Sequence, residues 1–107
     1  MYRGTTPTYM FTLPDEVDLT IANKIFATFS RMDDTEILTK TDEDLEVTTH
    51  SVGVYLTQEE TLAFPNGVLK FQLNWLYDSD GVTKRACTNI INITAQKNLK
   101  DEVLTNE

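Results

Sequence analysis

The chain reads as all-β, a two-sheet antiparallel β-sandwich with one short helical turn, and three observations carry that reading. Leu69, Phe71, Leu73, Trp75 and Tyr77 occupy every second position, which is the period of a strand, so all five side chains leave one face. Asp80-Gly81 follows, ahead of a second strand-like run from Val82 to Ala95. Such a pair signals a hairpin, because glycine takes the positive φ of a tight reversal. Finally, 17 threonines sit among Val, Ile, Tyr and Phe, the β-branched and aromatic mixture that suits a pleated surface.

Taken in order, Thr8 to Leu13 is the first expected strand, with Tyr9, Phe11 and Leu13 on one face and Pro14 ending it. Asp15 to Thr20 reads as an acidic loop. Asn23 to Met32 is the second strand, with Ile25, Ala27 and Phe29 on one face and Phe26 and Met32 on the other. Apolar residues on both faces mark a central or covered strand. A turn at Asp33-Asp34 leads to a short strand from Glu36 to Thr41, then an acidic turn at Asp42 to Asp44 and a strand from Leu45 to Thr49. His50-Ser51 interrupts, and Val52, Val54 and Leu56 then alternate cleanly.

Thr57-Gln58-Glu59-Glu60 has capping-box spacing, which predicts one helical turn running to Phe64, and Pro65-Asn66-Gly67 turns the chain afterwards. In the last strand the apolar phase slips between Ala86, Thr88, Ile90 and Ile91, Ile93, Ala95. A bulge near Asn89 to Asn92 would bring both sets to the core. The expected domain therefore spans residues 1–96, followed by a C-terminal arm at 97–107 that is either a short helix or loose, with Thr105 to Glu107 disordered. Turn signals about every ten residues fit a sandwich, with immunoglobulin-like and jelly-roll-like connections both open. The cysteine pair of an immunoglobulin domain proper is missing.

At 107 residues the chain holds one modest core. A net charge of -8 repels phosphate backbones and anionic lipid, so neither nucleic acid nor membrane is an expected partner. Cys87 is the single cysteine, which excludes an intrachain disulfide and a thiolate metal cluster. The first residues lack the apolar core of a signal peptide, so the chain is not expected to be secreted by a signal of its own.

Candidate chemistry is sparse. Asp78-Ser79-Asp80-Gly81 begins like a calcium loop, but Gly81 comes too early and Asn89 stands where the bidentate glutamate belongs, so a hairpin turn accounts for it. Cys87 and His50 form the one nucleophile–base combination, and an ordinary semi-buried strand thiol with an exposed turn histidine is the better reading. Asn92-Ile93-Thr94 has the spacing of a glycosylation acceptor, with Ile93 expected inward. No cofactor, metal or small-molecule substrate is expected, and the chain is not expected to be an enzyme.

Arg3-Gly4-Thr5-Thr6-Pro7-Thr8, opening into Met10-Phe11-Thr12-Leu13-Pro14, resembles the start of a family of small phage and prophage proteins of Gram-positive bacteria. Three further segments resemble that family: Val54 to Phe64, Val68 to Leu73, and Lys97 to Leu104. The layout is also similar to the N-terminal β-domain of phage baseplate upper proteins. The resemblance implies a virion setting, or the bacterial host cytoplasm during assembly, with phage tail or baseplate proteins as partners, or a second copy of the chain. It carries no catalytic motif.

The expected function is thus a non-enzymatic structural or tail-associated module working through protein–protein contacts. Phe26 and Tyr55, which oppose the main apolar faces of their strands, and the terminal residues Tyr2, Leu99, Val103 and Leu104 are the expected partner contacts. Two alternatives come from other classes. The acidic clusters at Asp15-Glu16-Asp18, Asp33-Asp34-Glu36 and Asp42-Glu43-Asp44-Glu46 suggest an inhibitor of a host nucleic-acid enzyme. Surface aromatic residues suggest a carbohydrate-binding accessory domain.

Overall fold

The computed structural model describes residues 1–106 and contains eight strands. They are β1 (Thr8–Thr12), β2 (Ala22–Ser30), β3 (Glu36–Thr41), β4 (Leu45–Val47), β5 (Ser51–Tyr55), β6 (Gly67–Ser79), β7 (Val82–Cys87) and β8 (Ile91–Ala95). One helical turn, α1 (Gln58–Leu62), lies between β5 and β6. The expectation of disorder at Glu107 falls outside the described residues.

The alternation at 67–79 makes β6 the axis of the fold, since its 13 residues carry neighbours along both edges. β2 pairs antiparallel along one edge, from Ser30↔Lys70 to Ala22↔Tyr77. β7 and β8 share the other edge in tandem. With β3 outside β2, these form a five-stranded sheet, and β1-β5-β4 forms a three-stranded one. Every pairing between these strands is antiparallel.

Local chemistry sets three joints as expected. Asp80 (φ 54) and Gly81 (φ 76) both have positive φ, the backbone of a type I′ hairpin closed by Ser79↔Val82. At α1 the Thr57 hydroxyl accepts the Glu60 N–H at 3.2 Å, and the Glu60 carboxylate accepts the Thr57 N–H at 2.8 Å, a complete capping box. Between Asn74↔Cys87 and Phe71↔Ile91, three steps along β6 face four along the partner, so one extra residue bulges out at Thr88–Ile90. The bulge restores Ile93 and Ala95 to the core but leaves Ile90 and Ile91 exposed, because they sit at the open edge of the sheet.

The chain visits the two sheets alternately: β1 in the small sheet, the β2–β3 hairpin in the large one, the β4–β5 hairpin back in the small one, then β6 to β8. In immunoglobulin lettering the sheets run B-E-D and C′-C-F-G, which decides for immunoglobulin-like over jelly-roll-like connections. The B and F strands of antibody domains are joined by a disulfide packed on a strand C tryptophan. Here Phe11 of β1 stacks on Phe71 of β6 at 3.9 Å, and Phe29 of β2 lies tilted against Phe71 at 4.8 Å. An aromatic cluster thus bridges the sheets without cysteine.

The core holds Leu13, Ile25, Phe29, Val54, Leu56, Leu69, Phe71, Leu73, Trp75 and Ile93, as the alternation requires. Phe11 is only half-buried, because β1 is an edge strand. Leu19 and Phe64 are buried without any strand periodicity to announce them: a 3-10 turn at Leu19–Ile21 and the end of α1 fold them inward.

Candidate functional site

Both terminal segments meet the α1 turn at one end of the sandwich. Met1 to Arg3 lie alongside the end of β8 as a parallel bridge, Tyr2↔Gln96, with the Gln96 N–H donating to Met1 at 2.7 Å and the Arg3 N–H to Gln96 at 2.9 Å. The Arg3 guanidinium then donates to the carbonyls of Leu62 (2.7 Å) and Phe64 (2.9 Å), where a helix end leaves acceptors free. Its third contact is the Asp101 carboxylate at 2.8 Å. The Thr61 hydroxyl is fully buried: it accepts the Gly4 N–H and donates to the Thr5 carbonyl, both at 2.8 Å. Gln58 pairs its amide with both backbone groups of Leu104, at 2.8 and 3.0 Å.

The C-terminal arm is therefore neither helical nor free. Residues 97–106 contain no helix or strand, and the arm is held at Asp101 and Leu104. Tyr2, Leu99, Val103 and Leu104 all lie on these two anchored segments and all are exposed, Leu99 almost fully at 97%.

Phe26 and Tyr55 do not share a patch. Phe26 is half-buried on the outer face of the five-stranded sheet, opposite Asn74, with the Lys24 ammonium 5.4 Å above its ring. Tyr55 is exposed on the outer face of the other sheet, opposite Thr8, with exposed Met10 two residues further along β1. Met10 covers Gly53, where an added Cβ would lie 2.8 Å from the Met10 sulfur, so β5 needs glycine there for the thioether to lie flat.

Two features were not visible in the sequence, since both arise between strands distant in the chain. A groove of about 560 Å³ opens between the β1 edge and the β7–β8 bulge, over Phe11, Phe71, Leu73, Trp75 and Ile91. A second groove of about 330 Å³, lined by both apolar and polar side chains, crosses the outer face of the five-stranded sheet along Phe26, Thr28, Thr39, Asn74, Leu76 and Arg85.

The titratable groups serve local geometry. His50 is half-buried rather than exposed, its Nδ1 2.6 Å from the Val17 carbonyl, which anchors the acidic loop. Cys87 is exposed rather than semi-buried, on β7, and among the described residues no hydrogen bond joins it to His50. Asp78 accepts the Thr83 hydroxyl across the hairpin at 2.9 Å. Among the described residues no group of three or more His, Cys, Asp or Glu side chains could hold a metal ion. The acidic clusters shape turns: Asp18 caps a 3-10 turn, and the Thr20 hydroxyl and N–H hold its carboxyl below the usual range. Asp33 is lowered in the same way by Thr35, and Asp34 pairs with Lys70 at 2.7 Å. Glu60 feels opposing effects: partial burial raises its pKa, but the Lys40 hydrogen bond, the Thr57 N–H and the Lys40 charge together hold it low. No family model, curated protein or solved structure matches the chain.

Proposed function

We propose that this chain is a non-enzymatic, phage- or prophage-derived structural module, associated with a tail or baseplate and acting through protein–protein contacts. The observation that carries this reading is the terminal end. Four exposed apolar side chains, Tyr2, Leu99, Val103 and Leu104, stand on segments tied to α1 by hydrogen bonds. Apolar groups held rigidly in water cost little to order on binding, which suits a docking surface. The motif residues Arg3, Gly4, Thr5 and Thr61 build that end, so the resemblance and the surface fall in one place.

Co-expression with any tail or baseplate proteins that the same genome encodes, followed by size-exclusion chromatography, tests the reading. A stoichiometric complex lost in a Leu99→Asp/Leu104→Asp variant supports it. Migration of the free chain alone beside every such protein overturns it.

A second reading, a carbohydrate-binding accessory domain, draws on the groove at Phe26. A saccharide needs hydroxyl and amide partners beside an apolar ring, and Thr28, Thr39, Asn74 and Phe26 provide those types on one sheet face. Chemical-shift changes at Phe26 and Asn74 on titration with host-wall polysaccharide would favour it over the first.

A further inference from the structure

The sandwich has an immunoglobulin-like strand order but no strand on the outer side of β1, the place strand A takes beside B. The residues just before β1 are committed elsewhere, since Met1 to Arg3 run along β8. The edge is therefore bare. Leu13 donates to His50 and Leu56 to Pro7, so the odd positions of β1 face β5, and the N–H and C=O groups of Thr8, Met10 and Thr12 point outward. Among the described residues no hydrogen bond reaches them.

The other free edges are guarded in the usual ways. β3 carries Glu36 and Lys40 and has an irregular register at Phe29/Ser30 of its partner. β4 is three residues long, with Glu46 at its centre. β7 bears Lys84 and Arg85, and the end of β8 is capped by the N-terminal segment. β1 runs five residues, Thr-Tyr-Met-Phe-Thr, without a charge or a proline; β8 is equally uncharged, but Met1 and Arg3 bond its outer edge at Thr94 and Gln96, and β1 has no such neighbour. It also borders the apolar groove over Phe71, Leu73, Trp75 and Ile91.

We infer that β1 receives an extended strand from another protein, which completes the three-stranded sheet and sends alternate side chains into the groove. The inference rests on the reading of the chain as a contact module and names how its partner binds. The occupant's chemistry follows from the site. Five residues of backbone ladder call for an uncharged stretch of that length, and the groove calls for an apolar side chain at every second position. Asp15 and Glu16, in the turn between the groove-lining Pro14 and Val17, call for a basic flank. A net charge of -8 disfavours a second copy, and the chain's own ends are held at β8 and α1.

The test uses the full chain and a synthetic probe, a peptide of alternating Val and Thr with Lys at each end. Its expected signature is slowed amide exchange at Thr8, Met10 and Thr12, with a shifted Trp75 indole resonance. Methylating the peptide's alternate backbone nitrogens should abolish binding. Met10→Pro removes one outward N–H without touching the β5 ladder, and Met10→Lys adds an edge charge while keeping the fold; each should weaken the peptide about tenfold or more. Absence of protection at millimolar peptide overturns the inference, as does equal binding of the methylated form. Protection already present in a free protein of doubled mass also overturns it, by naming a second copy as the occupant. The tail-complex measurement is separate. A complex that forms undiminished with Met10→Pro and Met10→Lys defeats the strand inference alone, whereas peptide binding without any tail complex defeats the functional reading alone.

Discussion

The two long sides of the sandwich are built from the same kinds of strand and finished differently. On the β3–β4 side the chain itself passes between the sheets through the 3-10 turn at Asp42–Asp44, and Lys40 of β3 spans the gap to Glu60 at 2.8 Å and to the Tyr55 carbonyl. On the β1–β8 side the chain crosses only at the α1 end, through Gly4 to Pro7, and beyond that crossing a groove remains. A sheet three strands wide cannot fully cover one four strands wide, β7 and β8 sharing an edge, so a seam must stay open somewhere. Charge and crossover closed one side; uncharged threonines and aromatics line the other. The open side is thus where stability was left incomplete, and that is where contact with another molecule gains most.

The sharpest test of this comparison is Phe71→Ala. It removes the ring that touches both Phe11 and Phe29, and should cost about 3–5 kcal/mol in urea unfolding. Phe11→Ala, on the half-buried open side, should cost clearly less. Equal costs would mean that the seam is as closed as the interior. Trp75→Ala belongs with Phe71→Ala, at about 3–5 kcal/mol, since only 7% of Trp75 is exposed.

Smaller effects follow at the joints. Gly81→Val meets no atom within 4 Å, so its cost is conformational, about 1–2 kcal/mol for a Cβ at φ 76. It should appear in the unfolding midpoint without changing the slope. Thr57→Ala removes the cap of α1 and should cost about 1 kcal/mol.

The smallest expected effect is a pH dependence on the closed side. Because Glu60 is held below its ordinary value of 4.5, the folded state binds its proton less readily than the unfolded chain does. Its contribution is complete above about pH 4.5 and fades as pH falls through the lower folded value. Urea midpoints from pH 6 to pH 3 should fall less steeply in Glu60→Gln than in the parent protein. Parallel curves would show that the Lys40 pair does not tie this side together.

Much of the architecture was legible because it rests on local rules. The alternation at 69–77 placed Trp75 in the core, Asp80-Gly81 placed the hairpin, Thr57 and Glu60 placed the helical turn, and the phase slip before Ile91 placed the bulge. The contact residues were legible only in part. Alternation marks Tyr55 and Phe26 as opposing the apolar faces of their own strands but not which sheet each strand joins, and the two lie on opposite outer faces. Nothing local separates His50 from an exposed turn histidine, because its partner, Val17, lies 33 positions away.

The sequence by itself determined the net charge, and also the strands, their inward faces and the tight reversals, consequences of side-chain period and backbone preference over a few neighbours. Tertiary structure alone decided which strands became edges, that β1 was left bare while β3, β4 and β7 were guarded, and that both ends of the chain meet at α1. Those outcomes depend on pairings between residues far apart in the chain, chosen by how two apolar faces of unequal width cover one another, and no local rule carries that information.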